Sequence, residues 1–147
     1  RAYRKDATIL DKESIEKADI VLADVPCSGL GVIGKKTDIK YRTDEDKIQE
    51  LSVLQKRILH NAASYVKPGG VLIYSTCTIT REENQDNVAL FTENYPFVLE
   101  SLDPYLCEEL HSETTAQGYL QLLPGVHKTD GFFLARLRKK EETEWNN

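Results

Sequence analysis

Two cysteines stand in loops whose composition suits thiol chemistry. Cys27 lies in the glycine-rich segment 24–31, and Cys77 lies in the Ser- and Thr-rich segment 75–78. A thiolate is a strong nucleophile, so each cysteine is a candidate for covalent catalysis. A buried cysteine is also a common small apolar residue, and for a lone cysteine that structural role is the better expectation. Cys107, in a polar context, is assigned no role.

Two other uses of these thiols fit the sequence less well. The cysteines are 50 and 30 residues apart without a CxxC pair, and the three histidines form no ligand pattern, so no metal site is predicted. A Cys–His hydrolase stays open as an alternative, although no histidine lies near either thiol in the sequence. The three histidines are His60, His111 and His127.

Each of the two cysteines follows a predicted strand. The apolar run at residues 20–24 ends in Asp24, and residues 71–75 form a second such run. Short apolar runs bounded by turn residues are typical of buried parallel strands. The carboxyl ends of parallel strands meet at one edge of a sheet, and neighbouring strands lie about 4.8 Å apart. If the two strands are neighbours, the thiols of Cys27 and Cys77 are therefore expected to share one cleft.

An amphipathic helix is predicted between these strands. Apolar residues recur every three or four positions across residues 44–66, and Thr43 or Asp44 can cap the start of the helix. Residues 67–70, Lys-Pro-Gly-Gly, are expected to end it, because Pro cannot continue the helical hydrogen bonding. The predicted apolar face consists of Ile48, Leu51, Leu54, Ile58, Ala62 and Tyr65.

The second half of the chain predicts one more helix and a closing pair of strands. Thr80 and Glu83 fit a capping box, in which each side chain bonds a free backbone N–H, and a helix is expected from there to about Asn94. Alternating strands and helices are typical of a parallel α/β sheet. The pattern further predicts a weak strand at residues 97–99, no clear period at 100–118, and an antiparallel pair at 119–123 and 132–137.

The composition indicates one globular domain. The chain has 147 residues, of which 40% are hydrophobic and 29% charged. We assign residues 1–138 to the domain and residues 139–147 to a charged tail. No apolar run reaches the length of a membrane span, and residues 1–6 have no secretory signal. Three cysteines do not make a disulfide framework, so a reducing, cytoplasmic setting is expected.

The charge of the chain is unevenly distributed. The net charge of −5 divides into +2 for residues 1–70 and −7 for residues 71–147. An acidic chain can therefore still contact RNA locally. Two interpretations of one basic stretch stay open, contact with RNA phosphates or a solvated face. That stretch consists of Lys35, Lys36, Lys40 and Arg42.

The two cysteine segments also resemble motifs of a known family. Residues 24–31 resemble the fourth motif of RNA cytosine-5 methyltransferases, although Val25 stands where Ala is usual. Residues 75–78, followed by residues 82–84, Glu-Glu-Asn, resemble their sixth motif. Residues 20–137 as a whole are most similar to bacterial ribosomal RNA small-subunit methyltransferase B, the Sun/Fmu group. Further shared runs lie at residues 38–40, 68–70 and 130–133.

The resemblance implies a fold and a reaction. The fold is α/β, a Rossmann-like S-adenosylmethionine methyltransferase sheet, mostly parallel with an antiparallel C-terminal strand. Cys77 takes the position of the nucleophile that adds to C6 of a cytosine, and Cys27 that of the cysteine assisting release. Asp6 takes the position that contacts the adenine amine of S-adenosylmethionine, and Asp24 one that contacts the cofactor and the target base. The implied substrate is RNA, in particular small-subunit ribosomal RNA.

One part of the family pattern is missing from this chain. The first motif, a glycine-rich loop for the methionine end of S-adenosylmethionine, does not precede Asp24, and neither does the acidic residue for the ribose. The resemblance therefore predicts the C-terminal part of a catalytic domain, truncated in its N-terminal half and inactive alone. A non-catalytic RNA- or partner-binding role stays open. An amino-group methyltransferase would have an aromatic residue in place of Cys27.

Overall fold

A computed structural model describes residues 2–34 and 45–141 of the chain. The basic stretch Lys35 to Arg42, the shared run at 38–40 and the predicted helix cap at Thr43 or Asp44 lie outside the described residues. The strands are β1 (Ala18–Asp24), β2 (Val66–Thr76), β3 (Phe97–Leu99), β4 (Tyr119–Leu122) and β5 (Phe132–Lys139); the helices are α1 (Glu45–Tyr65), α2 (Gln85–Asn94) and α3 (Glu113–Gln117).

The five described strands form one sheet in the order β1-β2-β5-β3, with β4 also paired to β5. β1 and β2 are parallel, and β5 is antiparallel to β2, β3 and β4. Four strands therefore run in one direction and only β5 opposes them. The predicted α/β sheet with an antiparallel C-terminal strand is confirmed, as are the weak strand at Phe97–Leu99 and the closing pair.

The prediction that the apolar run at residues 20–24 is a buried strand holds for only one of its two faces. Side chains alternate between the two faces of a strand, and Ala23 on one face of β1 is buried. Ile20 and Leu22 on the other face are 65% and 67% exposed. β1 is the edge strand of the described sheet, and the described core lies on the Ala23 side.

The buried face of α1 also differs from the predicted one. Of the predicted apolar positions, only Ala62 is buried, and the others are half-buried. The face turned to the core includes the polar side chains of Ser52 and Gln55, both almost fully buried. Hydrogen bonds to Asn87, and to the carboxylate of Glu83 in the loop before the next helix, satisfy these groups, which compensates for their loss of hydration. Apolar periodicity alone therefore located the helix but not its most buried face.

The segment 67–70 does not form a free turn. α1 ends at Tyr65 and β2 begins at the next residue, so the expected end of the helix is confirmed. Within β2 the pairing steps from Ala18 opposite Val66 to Ile20 opposite Val71, and residues 67–70 bulge out of register. A positive φ of 71° at Gly69 accommodates this bulge, because glycine has no Cβ to oppose it.

The C-terminal part of the chain contains two features beyond the predicted pattern. α3 begins with a reciprocal capping box between Ser112 and Thr115 and is five residues long, too short to show a period. β5 runs to Lys139, whose ammonium group bonds the carbonyl of Val66 and the carboxylate of Glu16. The tail at 139–147 stays a prediction, since residues 142–147 are outside the described part of the chain.

Candidate active site

The thiols of Cys27 and Cys77 lie in contact beyond the ends of two neighbouring strands. Asp24, the last residue of β1, pairs with Ser75, so both chains leave the sheet at the same level. The two Sγ atoms are 3.0 Å apart, and the N–H of Cys77 donates to the Sγ of Cys27 over 3.2 Å. Both residues are free thiols and half-buried, whereas Cys107 is exposed. The prediction that neighbouring strands bring the two thiols together at one edge of the sheet is confirmed.

The surroundings of Cys27 affect its ionisation. Burial raises the pKa of Cys27 above its ordinary value, and the hydrogen bond with Cys77 raises it further. Cys27 is therefore a neutral thiol at neutral pH, able to donate a hydrogen bond to a neighbouring sulfur. A protonated thiol is a poor nucleophile, so the burial of Cys27 disfavours attack by this residue.

Two glycines hold the loop of Cys77 in place. The N–H of Gly31 donates to the carbonyl of Cys77 over 3.1 Å, and the N–H of Gly131 donates to the carbonyl of Gly31 over 2.7 Å. A Cβ at Gly31 would lie 2.4 Å from the carbonyl oxygen of Gly131 and 2.8 Å from that of Cys77. Only glycine permits this approach of three backbone segments.

Replacing Gly31 by Ala is expected to separate these segments. The new methyl group meets backbone atoms that cannot rotate away, and overpacking of this kind costs about 1–3 kcal/mol of stability. Urea denaturation of Gly31→Ala measures the loss. Gly34→Ala is the matched control, because a Cβ there meets no described atom within 4 Å. Equal urea midpoints for Gly31→Ala and Gly34→Ala would show that the close approach of the backbone segments does not require glycine at position 31.

Glu83 bonds several polar groups near the thiols, and the predicted capping box around it is wrong. Its carboxylate is fully buried and bonds side-chain and backbone groups of the two cysteine loops and α1, rather than the N–H groups of a helix. The hydroxyl of Thr80 donates to this carboxylate over 2.8 Å. α2 begins only at Gln85. A buried carboxylate is stable only with several donors, and tertiary contacts supply them.

Asn84 fixes the residues on either side of Cys77. Its Oδ1 accepts from the hydroxyl of Thr76 over 2.6 Å, and its Nδ2 donates to the carbonyl of Thr78 over 3.1 Å. Glu83 and Asn84 belong to the Glu-Glu-Asn run noted in the sequence, yet sequence reasoning assigned neither a place in the site. Their position in that run after the cysteine motif was the available signal.

The structure places the two predicted cofactor carboxylates differently. Asp24 is at the end of β1, near the thiols in the chain, and its Oδ1 accepts from the hydroxyl of Ser75 over 2.8 Å. Asp6 lies in an open cleft of about 540 Å³ beside the first half of β1, and Asp24 does not line this cleft. The hydroxyl and N–H of Thr8 bond the Asp6 carboxylate and hold its pKa below the usual value. Carboxylate oxygens accept hydrogen bonds, so both side chains can bind an amino group.

Two further properties of the described residues concern metals and membranes. In the ranges 2–34 and 45–141, His, Cys, Asp and Glu side chains form no group of three that could hold a metal ion. None of the helices in these ranges is both long and apolar enough to cross a membrane.

Solved proteins share this fold. The crystal structure of PH0851 superposes with a TM-score of 0.81 and 41% identity, over 92% of this chain and 30% of that one. The structure of NSun6 from Pyrococcus horikoshii with SFG, an analogue of S-adenosylmethionine, gives a TM-score of 0.73 and 27% identity, over 95% of this chain and 34% of that one. The sheet is thus the Rossmann-like sheet of methyltransferases, as predicted.

Sequence comparison identifies the family of this chain. The family model described as 16S rRNA methyltransferase RsmB/F matches residues 1–138, and the chain belongs to this family. The probable ribosomal RNA small subunit methyltransferase B of Bacillus subtilis is 42% identical over 127 residues. Ribosomal RNA small subunit methyltransferase F of Erwinia tasmaniensis is 41% identical over 123 residues. The matches cover 85% and 82% of this chain but only 28% and 26% of those relatives, so the chain spans about a quarter of their length.

Proposed function

We propose that a protein carrying this chain transfers a methyl group from S-adenosylmethionine to C5 of a cytosine in small-subunit ribosomal RNA. The observation that carries the proposal is the contact between the thiols of Cys27 and Cys77, 3.0 Å apart at the carboxyl edge of the sheet. Membership of the family and the names of its curated relatives support the substrate. In this proposal residues 1–138 are the C-terminal part of the catalytic domain.

Cys77 is proposed as the nucleophile. C5 of cytosine is a weak nucleophile, and addition of the Cys77 thiolate to C6 places electron density at C5, which can then attack a methyl group. S-adenosylmethionine, when bound, supplies that methyl group in electrophilic form. Only a thiolate adds to C6 in this way. The backbone bond from Gly31 and the side chain of Asn84 keep the Cys77 loop in position for attack.

Cys27 is proposed to assist release of the product. After methyl transfer, a base removes the proton on C5. The electron pair of the broken C5–H bond forms the C5–C6 double bond, and the bond between C6 and the Sγ of Cys77 breaks with its electrons on sulfur. The neutral thiol of Cys27 is 3.0 Å from that sulfur and can donate a hydrogen bond to the departing thiolate. Such a bond stabilises the charge that develops as the adduct breaks down.

Asp6 and Asp24 are proposed to contact the cofactor. The exposed carboxylate of Asp6 in its cleft fits a bond from the adenine amino group. Asp24, three residues before Cys27, fits contacts with the cofactor and the target base. These two carboxylates make up only a small part of a cofactor site.

We therefore expect the 147-residue chain to bind S-adenosylmethionine weakly. A dissociation constant above about 1 mM is expected, which corresponds to less than about 4 kcal/mol of binding free energy. Isothermal titration calorimetry measures it, with the full-length Bacillus subtilis relative as the positive control. Micromolar affinity for residues 1–147 alone would contradict this expectation.

Nucleoside analysis tests the proposed reaction. A protein that carries residues 1–147 together with the cofactor loop is incubated with small-subunit ribosomal RNA and S-adenosylmethionine bearing a deuterated methyl group. The RNA is then digested and its nucleosides are separated by chromatography and mass spectrometry. Labelled 5-methylcytidine supports the proposal. Label on the exocyclic amino group of cytidine, or none in RNA, would overturn it.

A further inference from the structure

Glu83 connects the three elements that surround the two thiols. Its Oε1 accepts from the N–H of Ser28 and from Nε2 of Gln55, each over 2.9 Å. Its Oε2 accepts from the hydroxyl of Ser28 over 2.5 Å and from that of Thr80 over 2.8 Å. Ser28 belongs to the loop after β1, Gln55 to α1 and Thr80 to the loop after β2. One buried carboxylate thus binds all three.

The same carboxylate holds a residue that is adjacent to Cys27 in the chain. Ser28 follows Cys27 in the chain, and Thr78 follows Cys77. The hydroxyls of Ser28 and Thr78 are 2.7 Å apart, so the residue that Glu83 holds also contacts the neighbour of the second thiol. A shift of Ser28 would therefore change the position of Cys27 relative to Cys77.

We infer that Glu83 is a positioning residue that holds the Cys27 loop against the Cys77 loop and so sets the contact between the two thiols. Glu83 does not touch the sulfur atoms in any described contact, and it acts through Ser28. The inference deepens the proposed function and rests on it only for the chemistry of the thiols. The geometric effect can be measured without RNA or cofactor.

The number of donors explains why a carboxylate is needed. A carboxylate only accepts hydrogen bonds and offers about four lone-pair positions, which the four donors fill. The amide of Gln has nearly the same shape, but its NH₂ group would face two donors on one side. Buried donors without acceptors are costly where the local dielectric is low, so the loops are expected to shift in Glu83→Gln.

Oxidative cross-linking of Cys27 to Cys77 reports the position of the thiols. Diamide takes two electrons and two protons from the pair and is reduced to its hydrazine, leaving one disulfide. That bond needs sulfurs about 2.05 Å apart, so the observed contact must close by only about 1 Å. The full 147-residue chain is used with Cys107→Ser, which removes the exposed third thiol. Glu82→Gln is the matched control, since Glu82 is adjacent and exposed.

Glu83→Gln is expected to slow formation of the disulfide by about tenfold or more. A displacement of the thiols by about 1 Å is enough to lose the rate advantage of two reacting groups held close together. Glu82→Gln is expected to react at the parent rate. Circular dichroism verifies that each variant is folded at the temperature of the assay. A carboxylate that only stabilised the fold would leave the rate in folded protein unchanged. An unchanged rate in Glu83→Gln, or an equal slowing in Glu82→Gln, would overturn the inference.

Ser28→Ala provides a second route to the same answer. It removes one donor to Glu83 and the contact with Thr78, and it keeps the inference testable if Glu83→Gln does not fold. Ser28→Ala alone is expected to slow the cross-link several-fold. In the double variant the two effects are expected to be clearly less than multiplicative, because both act through the same contact. If Ser28→Ala cross-links as fast as the parent protein, or if the two substitutions slow the reaction of the double variant by the full product of their single effects, Glu83 does not act through Ser28.

Discussion

Replacing Cys77 by Ala is expected to abolish methyl transfer in a protein that carries this chain with its cofactor loop. The proposed reaction starts with thiolate addition to C6, and without it C5 stays too weak a nucleophile. Loss of a covalent catalyst that works as part of a unit typically costs at least about 10⁴-fold in rate. No covalent complex with RNA is expected to form. Transfer of a tritiated methyl group to RNA measures the first effect, and denaturing electrophoresis the second.

Cys107→Ala is the matched control for this experiment. Cys107 is exposed and belongs to no described contact of the thiol pair. Its replacement is expected to leave the methylation rate within about twofold of the parent, as is usual for surface substitutions. A residual rate near the parent value in Cys77→Ala would contradict the role proposed for that residue.

Replacing Cys27 by Ala is expected to trap an intermediate. Attack and elimination are separate barriers, so removing a group that assists only elimination allows the adduct to form and to accumulate. Ala in place of Cys27 also removes the thiol that contacts the sulfur of Cys77, and with it the donor for the departing thiolate. Turnover is expected to fall by about 10²-fold or more, as for loss of a donor to developing charge.

The trapped complex should appear as an RNA-bound band that survives denaturing electrophoresis. Structural cysteines would behave differently, because both Ala variants would then lose some stability through small cavities and neither would trap RNA. An adduct that accumulates in Cys77→Ala and not in Cys27→Ala would reverse the two proposed roles.

The sheet and the meeting of the two thiols were accessible from sequence. The runs at 20–24 and 71–75 predicted two strands, and polar loops after both predicted one shared edge. Parallel neighbours bring their carboxyl ends together whatever the rest of the fold does. The contact between Cys27 and Cys77 follows once the two strands are neighbours, and the sequence did not show that they are.

The polar interior of the site was not accessible in the same way. Thr80 and Glu83 have the spacing of a capping box, and local sequence cannot show that the carboxylate instead finds its donors on Ser28 and Gln55. Those donors are 55 and 28 residues away in the chain. The buried Gln55 likewise sits on a face of α1 that apolar periodicity does not select. Buried polar networks depend on which elements meet, and this is tertiary information.

Of the two predicted cofactor carboxylates, the sequence pattern located one and not the surroundings of the other. The end of β1 was predicted at Asp24, and the structure confirms this end. Asp6 was predicted only through the family resemblance, and its cleft beside the first half of β1 had no counterpart in the pattern of the sequence. Their roles stay proposals that calorimetry on suitable variants can test.

Identification of the cysteine that bonds to RNA shows whether Cys77 is the nucleophile. RNA containing 5-fluorocytidine traps the adduct, because fluorine at C5 cannot leave as a proton does. After reaction and digestion with nuclease and trypsin, the three cysteines fall in different peptides, with Cys77 in residues 58–81 and Cys27 in residues 18–35. If Cys77 is the nucleophile, the nucleotide is expected on the peptide of residues 58–81. Attachment to residues 18–35, or no attached nucleotide after methyl transfer, would contradict that role.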